Sequence, residues 1–254
     1  MTKVPVMAHL VAGYTSPEIS LEAARGLAAG GVSYFEVQFP FSDPSADGKA
    51  IQTACAAVLS GGWRVDDGFA FVETLRSEFP GIPVFVMTYA NLAYKIGISA
   101  FVERSFRSGV SGLIIPDLPF DADEGLAAAC EAKGIACVPV AAPSMTESRI
   151  ASLAALRRPY VYAALRSGIT GSSTSIDDGT LAFLSSLKAS ESRILGGFGI
   201  RSGDQSGALA PAVHAVVAGS VFVDIIREKS GEGGEAVRLA VQAKAAELSN
   251  PVQR

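Results

Sequence analysis

Eight short apolar runs, separated by longer amphipathic stretches, restrict how this chain can fold more than any other feature. The runs are rich in Val, Ile and aromatic residues, a composition typical of strands buried on both faces. They occupy residues 4–11, 32–39, 83–87, 112–115, 136–140, 160–165, 193–196 and 213–217. Each strand–helix unit spans roughly 32 residues, which predicts an α/β protein with a (β/α)8 TIM barrel. An open doubly wound sheet is the alternative.

The stretches between the runs carry helix signals. Residues 17–29 follow Ser16 in the N-cap place, begin with Pro17 and end before Gly30, as helices commonly do. Further helices are predicted over residues 122–133, 146–156 and 234–248. The first run is not followed by G-x-G-x-x-G, which disfavours a dinucleotide-binding sheet. Because no linker or low-complexity segment divides the sequence, we predict a single barrel domain over residues 1–254.

The composition excludes several classes of function. A net charge of −4 argues against a nucleic-acid-binding surface, which needs a basic stripe. The chain has two histidines and three cysteines without a C-x-x-C spacing, so neither a zinc site nor a disulfide framework is expected. No apolar stretch reaches about 18 residues without a polar interruption, so no membrane span is predicted. We therefore expect a cytoplasmic protein that has no metal, no nucleic-acid partner and no membrane anchor.

Two acids stand out near the second run, where a barrel would place functional groups after a strand. Glu36 lies inside the run, where a charge must be paired or must titrate upward. It is therefore either a general acid–base or a structural acid paired with Lys or Arg. Asp47 precedes Gly48, and it either caps the next helix or divides acid–base work with Glu36.

The segments that follow the sixth, seventh and eighth runs are rich in small residues. Glycines follow the sixth and seventh runs, and residues 218–220 (AGS) lead from the eighth run into a helix. Barrels bind phosphate after strands seven and eight, where exposed amides and a helix N-terminus hold the anion. Several such loops in succession favour a phosphate site over isolated tight turns.

Three further residues have two interpretations each. His9, near the end of the first run, either faces the site or packs in the core. Tyr162 lies in the sixth run and either lines the site or packs in the barrel. Asp117 follows the fourth run and is either a turn residue, which is favoured, or a site residue.

Several segments resemble one known family, the tryptophan synthase alpha chains. Residues 41–48 (FSDPSADG) with Ile51 and Gln52 are similar to its acid-loop signature. Five further segments follow in the family's order: 87–91 (MTYAN), 112–119 (GLIIPDLP), 166–171 (RSGITG), 197–200 (GFGI) and 218–220 (AGS).

The resemblance implies a (β/α)8 barrel that cleaves indole-3-glycerol phosphate to indole and glyceraldehyde 3-phosphate. It implies that Glu36 and Asp47 are the catalytic acids. The residues implied to position the substrate are Tyr162, Thr170 and Phe198. The residues implied to bind its phosphate are Gly171, Gly199, Gly219 and Ser220.

The resemblance also implies a partner. Family members dock on a pyridoxal-phosphate-dependent beta subunit, usually as an αββα heterotetramer, and pass indole through a tunnel. Asp43, Pro44 and Asn91 match regions that contact or signal to the partner. The cofactor belongs to the beta subunit, so none is expected in this chain. An alternative is a barrel that mainly activates the beta subunit and has weak chemistry of its own.

The sequence departs from the family pattern at a few places. Only a few residues precede the first run, so the family's N-terminal helix is expected to be shortened or missing. His9 stands where an aromatic residue commonly lines the indole pocket, and Gln38 replaces a small residue. These departures leave the acid pair and the phosphate loops intact.

Overall fold

The computed structural model describes residues 3–165, 176–197 and 199–251. Within those ranges, nine strands alternate with helices. The strands are β1 (Val6–Val11), β2 (Tyr34–Gln38), β3 (Val84–Met87), β4 (Gly112–Ile114), β5 (Ala136–Val138), β6 (Val140–Ala141), β7 (Tyr160–Ala164), β8 (Arg193–Gly197) and β9 (Ala215–Ala218). The helices are α1 (Pro17–Ala29), α2 (Lys49–Ser60), α3 (Val65–Glu78), α4 (Ala90–Ile96), α5 (Ile98–Arg107), α6 (Leu126–Lys133), α7 (Glu147–Ala155), α8 (Asp178–Leu187), α9 (Gly203–Leu209), α10 (Ser220–Lys229) and α11 (Gly234–Ser249).

All strands pair in parallel, and β5 and β6 close the sheet into a barrel. The order is β5-β4-β3-β2-β1-β9-β8-β7-β6. β5 and β6 are two pieces of one strand on either side of Pro139, whose ring nitrogen has no proton to donate. The first piece pairs with β4 and the second with β7, and Tyr162 N donates to Pro139 O over 2.9 Å. The predicted (β/α)8 barrel is therefore confirmed.

Each predicted run contains one barrel strand, because apolar β-branched segments are stable only where both faces are covered. β1 is buried along its whole length. It pairs with β2 on one side and with β9 on the other, so the first and last strands are neighbours. No helix precedes β1 in the part of the chain that the structure describes, which begins at Lys3.

The sequence signals for helix ends predicted the helix boundaries, with one exception. α1 has the predicted bounds, and Ser16 Oγ caps it by accepting a hydrogen bond from Ile19 N. The helix predicted from residue 122 begins only at Leu126. The boundary was wrong because the Asp123 carboxylate accepts hydrogen bonds from two amides of a turn, in which Gly125 has a φ of +85°.

The outer helical layer closes where α11 packs against α1. Gly26 on α1 and Gly30, its C-cap, face the backbone of α11 so closely that a side-chain carbon on either would collide with it. Glycine is required there by the close approach of two helices. None of the described helices combines the length and the apolar character that a membrane span needs.

Candidate active site

A cavity opens at the carboxyl ends of the strands, where a barrel concentrates its functional groups. Six of the predicted site residues line it: Glu36, Asp47, Tyr162, Gly199, Gly219 and Ser220. His9 lines the same wall. Thr170, Gly171 and Phe198 lie outside the described residues.

Glu36 is paired with His9. The two residues are partners in the parallel register of β1 and β2, and both are almost fully buried, at 2% and 3% exposed. His9 Nδ1 and Glu36 Oε2 share a hydrogen bond of 2.8 Å. The partner of the buried acid is therefore a histidine rather than the Lys or Arg considered from the sequence. Glu36 Oε1 accepts no hydrogen bond from the described residues.

The pKa of His9 reflects its burial and the charges around it. Burial opposes a charged imidazolium, but the hydrogen bond to Glu36 and the charges of Glu36 and Asp47 outweigh it. Together they raise the pKa of His9 above its ordinary value of 6.5.

Asp47 is held by one oxygen and does not cap a helix. Its Oδ2 atom accepts hydrogen bonds from Gln38 Nε2 over 2.8 Å and from the Tyr89 hydroxyl over 2.7 Å. Gly48 is the N-cap of α2, and no side chain caps that helix. The Asp47 side chain is therefore free for another role, and within the described ranges its Oδ1 atom accepts no hydrogen bond.

Burial dominates the titration of Asp47. The side chain is 3% exposed, and desolvation raises its pKa above the ordinary value of 3.8, although His9, Tyr89 and Gln38 act in the opposite direction. A carboxyl group in these surroundings interacts strongly with any positive charge that enters the cavity.

Tyr162 reaches the cavity from β7. Burial and the negative charges of Glu36 and Asp47 hold the pKa of its phenol well above 10, so the hydroxyl stays protonated. Gly197 makes room for it, because a Cβ at that position would lie 2.7 Å from the Tyr162 oxygen. The geometry thus gives the cavity a polar hydroxyl beside both acids.

A neighbouring part of the cavity wall can bind an anion. Gly199 has a φ of +84°, a conformation that side-chain-bearing residues rarely adopt. Gly219 is the N-cap of α10 and Ser220 its first residue, and both line the cavity. The first amides of a helix have no partner within it and can bind an anion. Arg201 donates to Ser220 Oγ over 3.3 Å and to Asp224 over 2.9 Å, which adds a positive charge beside this wall.

The residues predicted at a partner interface lie beside the acid loop. Asp43 and Asn91 are exposed, whereas Pro44 is buried, and its carbonyl accepts a hydrogen bond from Asp47 N over 3.0 Å. Asp117 lies in the turn after β4, as favoured from the sequence, and its Oδ1 atom accepts from Ala90 N at the start of α4. The first bond lies within the acid loop, and the second joins the start of α4, next to Asn91, to the turn after β4.

Comparison with known proteins decides the family. The sequence matches the family model of the tryptophan synthase alpha chain over residues 2–252. This chain belongs to the tryptophan synthase alpha chain family.

Individual members of the tryptophan synthase alpha chain family are similar over most of their length. The alpha chain of Helicobacter hepaticus is 41% identical over 234 residues, which are 90% of this chain and 88% of that protein. A structure of Mycobacterium tuberculosis tryptophan synthase superposes with a TM-score of 0.86 at 31% identity, covering 98% of this chain and 93% of that chain. The tryptophan synthase complex of Pyrococcus furiosus gives a TM-score of 0.86 at 28% identity, covering 98% and 99%.

Four residues in the site of this tryptophan synthase alpha family member were not assigned these roles from the sequence. His9 pairs with Glu36, Gln38 and Tyr89 donate hydrogen bonds to Asp47, and Arg201 lies beside Ser220. Gln38 is a polar residue near the end of the second run, and Arg201 lies in the loop that follows the seventh. That position was the available signal, since strand ends face the cavity in a barrel.

Proposed function

We propose that this chain cleaves indole-3-glycerol phosphate to indole and glyceraldehyde 3-phosphate as the alpha half of tryptophan synthase. One observation carries the proposal. Glu36 and Asp47 each have one oxygen held by the protein and one that accepts no hydrogen bond from the residues that the structure describes, in a cavity that also has a wall suited to an anion. Two carboxyl groups and a phosphate site are the groups that this reaction needs.

Glu36 would move the protons. The reaction is a retro-aldol cleavage, in which indole C3 gains a proton and the side-chain hydroxyl loses one. Glu36 Oε1 gives its proton to C3 and then accepts the hydroxyl proton. The carbon–carbon bond breaks as the carbonyl of glyceraldehyde 3-phosphate forms, and its electron pair restores the aromatic indole. One carboxyl group can perform both transfers, because the carboxylate left by the first is the base for the second, which restores the acid.

Asp47 would stabilise the charge that appears in between. The indole N–H becomes positively charged when C3 is protonated. Asp47 Oδ1 is the free acceptor for that N–H, and the attraction is stronger in the transition state than in the ground state. Its position is fixed by Gln38 and Tyr89, so little reorganisation is needed during the reaction.

The remaining site residues would bind and orient the substrate. Gly199, Gly219 and Ser220 are proposed to bind the phosphate, supported by the α10 N-terminus. Tyr162 is proposed to position the substrate beside Glu36. Substrate contacts of Thr170 and Phe198 and a phosphate contact of Gly171 stay predictions from the resemblance.

The chain would work in a complex. We propose an αββα assembly with a beta subunit in the cytoplasm, and pyridoxal phosphate would reside in that partner and supply its chemistry there. The proposed interface residues are the exposed Asp43 and the buried Pro44 in the acid loop, and the exposed Asn91 on α4. The neighbouring Pyrococcus furiosus structure is described as a tryptophan synthase complex, which supports this assembly.

The test is release of indole from indole-3-glycerol phosphate by the purified chain, alone and with a beta subunit. We expect indole in both cases and faster release with the partner. Absence of indole at every partner concentration would leave only the alternative, a barrel that activates the beta subunit.

A further inference from the structure

His9 has no role in the chemistry described so far, yet it occupies a central place. It lies on β1 with its ring against the cavity wall, 3% exposed. Its Cβ and Cγ atoms lie 3.3 and 3.4 Å from the point where a Cβ on Gly219 would be. The ring therefore stands between the catalytic acid and the start of α10.

The charged groups around His9 are mostly acids. From β2 and the loop after it come Glu36 and Asp47, and from β7 comes the protonated phenol of Tyr162. β9, the other neighbour of β1, contributes Val217 and then Gly219 to the cavity, neither of which titrates. No Lys or Arg lines the cavity among the described residues, so His9 is the group there that can carry a positive charge.

The hydrogen bonding of the ring is incomplete on one side. His9 Nδ1 is engaged by Glu36, whereas His9 Nε2 and Gln38 Oε1 are buried without a hydrogen-bond partner in the described parts of the chain. Gln38 is close enough to contribute to the raised pKa of His9. Buried polar atoms normally find partners, and exceptions concentrate at functional sites. A ring packed only for structure would have no need of this arrangement.

We propose that His9 is a positioning residue for Glu36 and that the two side chains hold the transferable proton as a pair. The proposal rests on the function proposed above. Donation from Nδ1 to Oε2 leaves Oε1 as the oxygen that faces the substrate. In the reactive form the additional proton lies on Glu36 Oε1, and His9 is a neutral imidazole with its proton on Nδ1. When the additional proton lies on His9 Nε2 instead, Glu36 has no proton to give.

The protons balance over one turnover. Glu36 Oε1 gives its proton to indole C3 and later takes the hydroxyl proton, while the Nδ1 proton stays on His9 throughout. His9 therefore never touches the reacting atoms. It fixes the geometry of Glu36, and the additional proton is lost from the pair rather than from either side chain alone, because coupled groups titrate as a unit.

The pairing can be tested without activity, by NMR titration of the imidazole rings. The chain has two histidines, and His214→Gln, away from the cavity, assigns the signals. We expect His9 to lose its proton at a higher pH than His214, whose pKa is lowered by burial and Arg193. In Glu36→Gln the titration of His9 should move to lower pH while His214 stays unchanged. An identical titration of His9 in both proteins would overturn the proposal.

The kinetics of two His9 variants distinguish an effect on the position of Glu36 from an effect on the proton of the pair. His9→Asn keeps a neutral donor near the Nδ1 position, and His9→Phe keeps the ring without a donor. We expect His9→Asn to retain kcat at low pH, with the basic limb of the kcat/KM profile moved to lower pH. His9→Phe should lower kcat at every pH, by about 100-fold if the carboxyl group is displaced. His214→Gln should match the wild type.

The outcomes distinguish this proposal from the function on which it rests. A wild-type chain that releases no indole contradicts the proposed function, and the NMR titration still decides whether the pair exists. Normal indole release with an unmoved basic limb in both His9 variants overturns the role of His9 alone. A rise in KM without a change in kcat would also overturn the role of His9, since it would show that His9 contributes only to substrate binding.

Discussion

The phenol of Tyr89 donates a hydrogen bond of 2.7 Å to Asp47 Oδ2 and accepts one of 3.1 Å from Ala46 N. Tyr89 follows β3, whereas Asp47 belongs to the loop after β2, so one hydroxyl fastens two neighbouring loops. Its ring also stacks on Phe41 at a centroid distance of 5.1 Å. Tyr89 thus orients the carboxylate and anchors the loop that carries it.

Tyr89→Phe is expected to weaken both functions of that hydroxyl. Asp47 loses one of two bonds that orient it, so kcat should fall by about tenfold to 100-fold. Unfolding in urea should show a loss of about 1–3 kcal/mol, because a buried acceptor loses its donor. Tyr94→Phe is the matched control, since Tyr94 is 43% exposed and should leave both quantities unchanged. Wild-type kcat in Tyr89→Phe would show that Gln38 alone suffices to orient Asp47.

Glu36→Gln is expected to abolish indole release without loss of phosphate binding. The amide is similar in size but cannot deliver a proton to carbon, so kcat should fall by about 10²–10⁴-fold. Calorimetry with a non-cleavable phosphate analogue should give a Kd close to that of the wild type, since the anion wall lies on other strands. A Kd that weakens as much as turnover would argue against a catalytic role.

Asp47→Asn should separate activity from stability. Turnover should fall by about 10²–10³-fold, because the charge opposite the indole N–H is lost. Burial raises the pKa of Asp47 above 3.8, so its contribution to stability is greatest at low pH and is lost as the pH rises through the raised pKa. The stability of the variant relative to the wild type should therefore increase as the pH rises from about 4 through the raised pKa of Asp47. A constant difference in unfolding free energy across that range would contradict this sign.

Gly26→Ala tests the contact between the first and last helices. The new methyl group would collide with the Arg238 carbonyl on α11, and we expect a loss of about 1–3 kcal/mol in unfolding free energy. kcat should stay unchanged because the contact lies outside the cavity. Gly81→Ala is the control, since a Cβ there meets nothing within 4 Å. Equal stability of the two variants would show that α11 shifts easily.

The barrel could be predicted from the sequence because the signals that identify its strands and helices are local. Each apolar run carries enough Val and Ile to identify a buried strand, and Ser16 with Pro17 marks the start of α1. The start of α6 was placed too early because helix-forming residues continue back through a turn that Asp123 stabilises. The split of the fifth strand at Pro139 depends on which neighbour each half meets, which is a property of the closed sheet.

The candidate site was predictable as a set of positions but not as a network. Glu36, Asp47 and the late glycines stood out by residue type and place. The bond between His9 and Glu36 joins residues 27 apart in sequence, and that between Tyr89 and Asp47 joins residues 42 apart. Such contacts depend on strand register and loop conformation, which are set by the packing of the whole barrel.

The pairing of β1 with β9 has a consequence for a chain during its synthesis. His9, Glu36 and Asp47 are all made early, whereas Gly219 and Ser220 follow the last strand. The acids are therefore synthesised long before the residues of the wall that would hold a phosphate. A chain without β9 would carry the acids without a complete substrate pocket, so we expect cleavage only from a chain whose final strand is paired with the first.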